Sequence, residues 1–267
     1  MVARRSAYLN VMVDAAEKAG RALIRDFGEV EQLQVSKKGP GDFVSAADKK
    51  SERILKEELL KARPTFGFLL EEEGEVKGED ASHRWIIDPL DGTTNFLHGL
   101  PHWCISIALE KDKEIVAAVI HDPIKNELFH AEKGAGAFSS SKRLRVSGRT
   151  SLVDGLVCVG DKFFNENNKT LPSGLGVRRM GSACLSLAYV AAGRFDAYWE
   201  DGLKPWDKAA GLLIVKEAGG SVSEIDGGKN IVYGSGVLAA NPSLHTDLLQ
   251  RFKQSSANDT VKAKTAP

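Results

Sequence analysis

Trp85-Ile86-Ile87-Asp88-Pro89-Leu90-Asp91-Gly92-Thr93-Thr94-Asn95-Phe96 runs from a short apolar strand straight into two carboxylates, a glycine and a pair of threonines. Large apolar residues in a short run bounded by charge have the length and composition of a buried strand. Pro89 stiffens the backbone between Asp88 and Asp91, and Gly92 opens the turn that follows. An Asp-Pro turn followed by an Asp-Gly turn accounts for these residues as ordinary loop chemistry. Hard oxygen ligands crowded at a strand end equally suit magnesium, which takes carboxylates, carbonyls and waters. The Gly92-Thr93-Thr94 amides and hydroxyls suit a phosphate, so metal and phosphate would be neighbours.

C-terminal to this stretch the pattern is one of strands. Ile105–Leu109, Ile115–Ile120 and Glu127–Ala131 are separated by short polar turns and predict an antiparallel meander. N-terminal to it, Leu9, Met12, Val13, Ala16, Leu23, Ile24 and Phe27 recur at helical spacing up to Gly28. A second helix carries Ile54, Leu55 and Leu59 and ends at Pro64, and Val35 to Phe43 between the two helices reads as a Gly-Pro-Gly loop. The later half predicts strand Leu156–Val159, helix Ser182–Ala192, strand Phe195–Trp199, a helix from Trp206 to Ala218, and short strands around Val222 and Val237. A last helix opens with Asn241 as N-cap and Pro242 at its first position. Helices mixed with antiparallel strands predict an α/β (α+β) fold of layered sheets with helices between and outside them.

With 267 residues, 42% hydrophobic and 27% charged, the chain is long enough for a substantial core without staples. Lysine plus arginine equal aspartate plus glutamate, so no global field draws it to nucleic acid or an anionic membrane. Cys104, Cys158 and Cys184 form no CxxC pair, which fits a reduced, cytoplasmic setting. No apolar leader or membrane-length segment is present, so no membrane partner is expected. No Walker A loop, Gly-x-Ser-x-Gly elbow or Cys–His pairing offers a competing chemistry.

Four segments carry a resemblance. Asp88-Pro89-Leu90-Asp91-Gly92-Thr93-Thr94-Asn95-Phe96 resembles the D-P-L-D-G-T-T-N-F signature of the inositol monophosphatase family, and Trp206-Asp207-Lys208-Ala209-Ala210-Gly211 resembles its W-D-x-A-A-G motif. Phe66-Gly67-Phe68-Leu69-Leu70-Glu71-Glu72 is similar to the family strand that ends in two glutamates, with Glu71 placed directly after the apolar residues and Glu72 as the alternative register. Asp42-Phe43-Val44-Ser45-Ala46-Ala47-Asp48 is similar to D-x-V-T-x-x-D. Each has a plainer reading: helix capping for Asp207, a capping box for Ser45 with Asp48, a solvated acidic loop for Glu73 and Glu75. The segments follow family order along nearly the whole chain before the tail.

The resemblance implies a layered αβαβα sandwich of largely antiparallel sheets and helices. One catalytic domain would span 1–253, its parts of about 1–150 and 151–253 sharing the site, and 254–267 would be a disordered tail. It implies a cytoplasmic, lithium-sensitive phosphatase with two or three magnesium ions. Glu71, Asp88 and the Leu90 carbonyl would hold one ion, and Asp88, Asp91 and Asp207 another. Thr93, oriented by Asp48, would align the attacking water, with Glu71 also in the catalytic set. Asp91, Gly92, Thr93, Gly181, Ser182, Ala183, Glu200 and Asp207 would meet the substrate, Ser182 serving equally as a plain N-cap. The histidines, including His83, His98, His102 and His121, show no ligand spacing. Inositol monophosphate is the implied substrate. Histidinol phosphate, fructose 1,6-bisphosphate and a 3'-phosphonucleotide are the alternatives. A homodimer is implied, the apolar meander being the surface the sequence offers, and some bacterial relatives also bind transcription-antitermination machinery.

Overall fold

The computed structural model describes residues 5–29, 35–39, 42–160, 163, 172 and 174–265. Helix α1 (Ala7–Phe27) begins at Ser6, whose hydroxyl accepts from the Leu9 amide at 3.3 Å, and buries Leu9, Met12, Val13, Ala16 and Leu23 along one stripe. Strands β1 (Val35–Gly39) and β2 (Asp42–Ser45) then pair antiparallel, Val35 opposite Ser45. Where the sequence suggests a loop there is thus a hairpin, because β-prone Val35, Phe43 and Val44 flank the turn-forming Gly-Pro-Gly sequence. Helix α2 (Ala46–Ala62) follows.

Eight strands form the main sheet: β3 (Phe66–Leu70), β4 (Gly74–Val76), β5 (Asp80–Asp91), β6 (Cys104–Lys111), β7 (Glu114–Asp122), β8 (Glu127–Glu132), β9 (Gly136–Ser139) and β10 (Lys142–Arg143). Their order is β10-β9-β8-β7-β6-β5-β3-β4, and only β3 with β5 is parallel. The antiparallel meander expected from the short turns is β6-β7-β8. A short helix, α3 (Thr93–Leu97), lies between β5 and β6.

Five further strands, β11 (Leu156–Val159), β12 (Gly176–Arg178), β13 (Ala197–Glu200), β14 (Ser221–Ser223) and β15 (Val237–Ala240), form a second sheet ordered β12-β11-β13-β15-β14. Helices α4 (Ala183–Ala191) and α5 (Pro205–Glu217) lie between the sheets, and α6 (Pro242–Thr265) lies outside. At the start of α6 Asn241 Oδ1 accepts from the Leu244 amide at 3.0 Å.

Alternation along the strands sorts side chains into three cores. Trp85 and Ile87 face α1 and α2, whereas Ile86 faces α4 and α5. Val157 and Val159 face α6, whereas Cys158 faces inward. The layers are therefore αβαβα. A strand buried on both faces cannot slip by one residue without exchanging two cores, each large side chain contributing about 1.5–3 kcal/mol by burial. That fixes where Asp88 points: to the side of Ile86, toward the middle helices.

Three expectations change. The strand read as Trp85–Ile87 extends from Asp80 to Asp91, so both carboxylates lie on the strand itself, with a register shift between them. The apolar side chains of the meander are packed on both faces within the chain's own cores, so they are not the exposed apolar surface the sequence suggests. The backbone of α6 is helical as far as Thr265, where disorder was expected after residue 253; Ala257, Lys262, Ala263 and Lys264 are good helix formers with no Gly or Pro among them. No helix among the described residues is long and apolar enough to cross a membrane.

Candidate active site

Asp88 is buried, and its Oδ1 accepts from the Leu90 amide at 3.0 Å. Burial first, then the charge of Glu71, then Asp91, Cys184 and Asp207, pushes its carboxyl well above the usual range. Four acidic side chains from three separate segments thus act on one another. Glu71, directly after β3, is the glutamate that bears on Asp88. Glu73 pairs with Lys56 at 2.5 Å and Glu75 with Arg84 at 2.9 Å, the surface roles the sequence suggests for them.

Asp91 is fixed from the far side. Its Oδ2 accepts from Ser182 Oγ at 2.5 Å and from the Cys184 amide at 2.8 Å, with Cys104 Sγ at 3.7 Å. Burial raises its pKa, and these bonds, including one from the Ala183 amide, oppose the rise. Ser182 also accepts from the Leu185 amide at 3.2 Å, so N-cap and site contact coexist. Asp207, in the first turn of α5, accepts from the Lys204 amide at 2.6 Å. Burial, with the charges of Asp91 and Glu200 added, raises it to about 7 against that bond. The capping reading of Asp207 is therefore correct for one oxygen and does not exhaust its surroundings. Helix α5 sits close to α4 because Gly211 has no side chain; a Cβ there would come within 2.5 Å of Leu187.

Thr93 Oγ1 donates to the Leu90 carbonyl at 2.9 Å and lies 3.5 Å from Asp48 Oδ1, itself buried. Gly92 adopts φ +92°, and a Cβ on it would stand 3.0 Å from the His102 carbonyl. Glu200, at the end of β13, accepts from Tyr198 Oη. Gly181 adopts φ +72° beside Asn95. The side chain of Ser45, half of the expected capping box, lies outside the described residues.

Asp88, Asp91 and Asp207 form no ion pair with any Lys or Arg among the described residues. Buried like charges without a cation are costly, and a hard divalent ion relieves that cost while accepting oxygen donors of this kind. The donor set fits magnesium. Among the described residues a different group also brings possible ligand atoms together: Asp91, Cys104 and Cys184, within 4.8 Å of one another. Burial pushes the Cys104 thiol to about 12 and Cys184 well above its usual value, and sulfur is a poor magnesium ligand.

Residues 4–257 match the model of the inositol monophosphatase family. The chain belongs to that family. It is 55% identical to an inositol-1-monophosphatase of Mesorhizobium japonicum over 94% of this chain and 97% of that protein. It is 41% identical to the Nus factor SuhB of Pseudomonas aeruginosa, over 90% and 94% respectively. Among solved structures, the extragenic suppressor protein SuhB of Bartonella henselae superposes with a TM-score of 0.90 at 52% identity, covering 93% of this chain and 99% of that one.

All four motif segments lie within the family match; Glu71, Asp91 and Asp207 act on Asp88, and Thr93 stands 3.5 Å from Asp48. Four supporting residues were not expected from sequence. Glu52 on α2 accepts from the Glu72 amide at 2.9 Å and the Glu73 amide at 3.2 Å, holding the acidic turn; burial raises its pKa against these bonds. Ser51 Oγ donates to the Pro89 carbonyl at 2.7 Å. Asn95 Nδ2 donates to the His102 and Met180 carbonyls at 2.8 and 2.9 Å, tying α3 to the Gly181 loop. Tyr198 holds Glu200. Glu52 has one usable signal, a carboxylate on the apolar stripe of α2 beside Leu55 and Leu59; Asn95 stands in the D-P-L-D-G-T-T-N-F segment, which marks the residue but not its partners, and Ser51 and Tyr198 have no signal.

Proposed function

We propose that this member of the inositol monophosphatase family hydrolyses a small sugar-alcohol phosphate with magnesium, myo-inositol monophosphate foremost, giving inositol and phosphate. The observation that carries this reading is that Glu71, Asp91 and Asp207 all bear on the buried Asp88, with no ion pair to Lys or Arg at the three aspartates among the described residues. Glu71, Asp88 and the Leu90 carbonyl would hold one ion; Asp88, Asp91 and Asp207 a second; a third, weaker ion would join them. Magnesium, when bound, supplies the positive charge that neutralises phosphoryl oxygens and acidifies water.

The chain's own part is positional. With its hydrogen on the Leu90 carbonyl, Thr93 Oγ1 keeps lone pairs free to accept from the attacking water, and Asp48 stands behind it to stabilise the proton's departure. Glu71 borders the same water from the β3 side. The Gly92 and Thr93 amides meet the phosphate, and Glu200, Asp207 and the Gly181-Ser182-Ala183 loop meet the ring hydroxyls. Water oxygen bonds to phosphorus as the bond to the inositol oxygen breaks, and that oxygen is protonated to give the alcohol. No side chain becomes phosphorylated.

A phosphate-release panel with magnesium tests this: inositol monophosphate should turn over fastest, ahead of histidinol phosphate, fructose 1,6-bisphosphate and a 3'-phosphonucleotide. Preference for any of the other three would overturn the substrate assignment. Lithium should inhibit more strongly at high substrate, where product-bound enzyme accumulates, with sodium at equal ionic strength nearly inert. Equal effects of the two salts would remove the Asp88–Asp91–Asp207 ion position from the scheme. The family resemblance also supports a homodimer, which a monomeric sedimentation coefficient at micromolar concentration would refute. A second reading, a role beside the transcription machinery, draws on relatives named Nus factor SuhB; co-sedimentation with purified transcription complexes tests it independently of turnover.

A further inference from the structure

Cys104 opens β6 opposite Asp91 in the sheet register, and Cys184 lies in the first turn of α4, whose N-terminal amides and Ser182 hold the same aspartate. Neither thiol has a part in the hydrolytic scheme. Both are fully buried, and their sulfurs and an Asp91 oxygen lie within 4.8 Å of one another. Cys104 Sγ is 3.7 Å from Asp91 Oδ2 and 3.9 Å from Ser182 Oγ; Cys184 Sγ is 3.1 Å from the Asp207 carbonyl oxygen and 3.8 Å from that of Trp206.

The 3.7 Å between Cys104 Sγ and Asp91 Oδ2 matches neighbouring ligands of one ion, and the second sulfur lies within 4.8 Å of Cys104 Sγ and of an Asp91 oxygen. With metal–sulfur bonds of about 2.3 Å and metal–oxygen bonds of about 2.0–2.2 Å, neighbouring ligands of a tetrahedral ion stand roughly 3.5–3.8 Å apart. Two sulfurs, one carboxylate and a nearby hydroxyl or carbonyl oxygen make a mixed set that soft and borderline cations accept and magnesium does not. The negative surroundings, with Asp88 and Asp207 close by, favour a dication further.

We propose that Asp91, Cys104 and Cys184 form a second cation site, selective for a thiophilic dication of the zinc or cadmium class. Binding forms two metal–sulfur bonds and one metal–oxygen bond and releases the two thiol protons to solvent; no electron is transferred. Because Asp91 is shared, occupancy withdraws its charge from the neighbouring carboxylate pocket and lowers magnesium-dependent turnover. That inhibitory consequence rests on the function proposed above; the binding does not.

The test uses the full chain saturated with magnesium and titrated with cadmium. The wild type and Cys158→Ala should develop an ultraviolet cadmium–thiolate charge-transfer band that saturates at one equivalent. Cys104→Ser, Cys184→Ser and the double variant carrying Cys104→Ala with Cys184→Ala should lose it. Cadmium should inhibit phosphate release at concentrations at least roughly tenfold lower in the wild type than in the double variant, as expected when a bound ion loses two of its ligands. No band in the wild type at one equivalent, or an undiminished band in the double variant, overturns the site. X-ray absorption of the wild-type cadmium complex stands apart from any effect of substitution on folding: two sulfur neighbours support the site, fewer than two refute it. A band without inhibition refutes the coupling through Asp91, and a band in protein that hydrolyses no phosphate ester leaves the site standing while the hydrolytic reading falls.

Discussion

Asp88→Asn should abolish magnesium-supported phosphate release, with kcat falling by roughly 10²–10³ or more, the range lost when one group stabilising transition-state charge is removed. The same substitution should leave the metal-free protein as stable as the wild type, or more so, above neutral pH. An amide keeps the acceptor for the Leu90 N–H and removes a buried charge crowded by Glu71, Asp91 and Asp207. Opposite signs in turnover and stability distinguish a metal ligand from a structural carboxylate. A folded Asp88→Asn protein with near-normal kcat would end the metal assignment.

The metal-free wild type should lose thermal stability relative to Asp207→Asn as pH rises from 3.8 to about 7, and magnesium should restore it. Asp207 is raised from an ordinary 3.8 to about 7, so the folded chain holds a proton that the unfolded chain has already lost. Folding is then favoured below the unfolded value and weakened through the window up to the folded one. At about 1.4 kcal/mol per unit the ceiling from Asp207 alone is roughly 4 kcal/mol. Asp88, shifted in the same direction, adds to the slope, whereas His102, His121, His130 and His245, whose imidazoles burial pushes down, oppose it below 6.5, so the comparison is made against the Asp207→Asn variant. Magnesium binds the ionised carboxylates and so stabilises most at the alkaline end. Unfolding midpoints in EDTA and in magnesium across this range check the sign. An Asp207→Asn variant whose midpoints in EDTA run parallel to those of the wild type across this range would contradict it.

The site was readable where chemistry is local in sequence. Asp88, Asp91 and Thr93 lie within one strand end and turn, Asp207 lies in one helix start, and the order of these segments carried the family resemblance. The layers were readable for the same reason: Trp85, Ile86 and Ile87 form an unbroken apolar run, as in a strand buried on both faces. What escaped depends on partners distant in sequence. Ser51 meets Pro89, Asn95 meets Met180, and nothing in either neighbourhood announces the other. Cys104 and Cys184 occupy positions where any small apolar residue would fit the pattern, so only the register of β6 against β5 brings them to Asp91. The meander was read as an interface because an apolar strand looks the same whether its cover comes from its own chain or from another.

The pocket straddles a seam. Glu71, Asp88 and Asp91 come from the eight-stranded sheet, whereas Glu200 and Asp207 come from the five-stranded sheet and the helix beside it. The proposed set for one ion, Glu71, Asp88 and the Leu90 carbonyl, lies wholly in the first half, whereas the set proposed for the second, Asp88, Asp91 and Asp207, needs a residue from each side of the seam. Capture of that second ion would be postponed until the layers dock, making it the last fastener of assembly. In a refolding chain, return of turnover marks that docking step, later than the return of helix and strand.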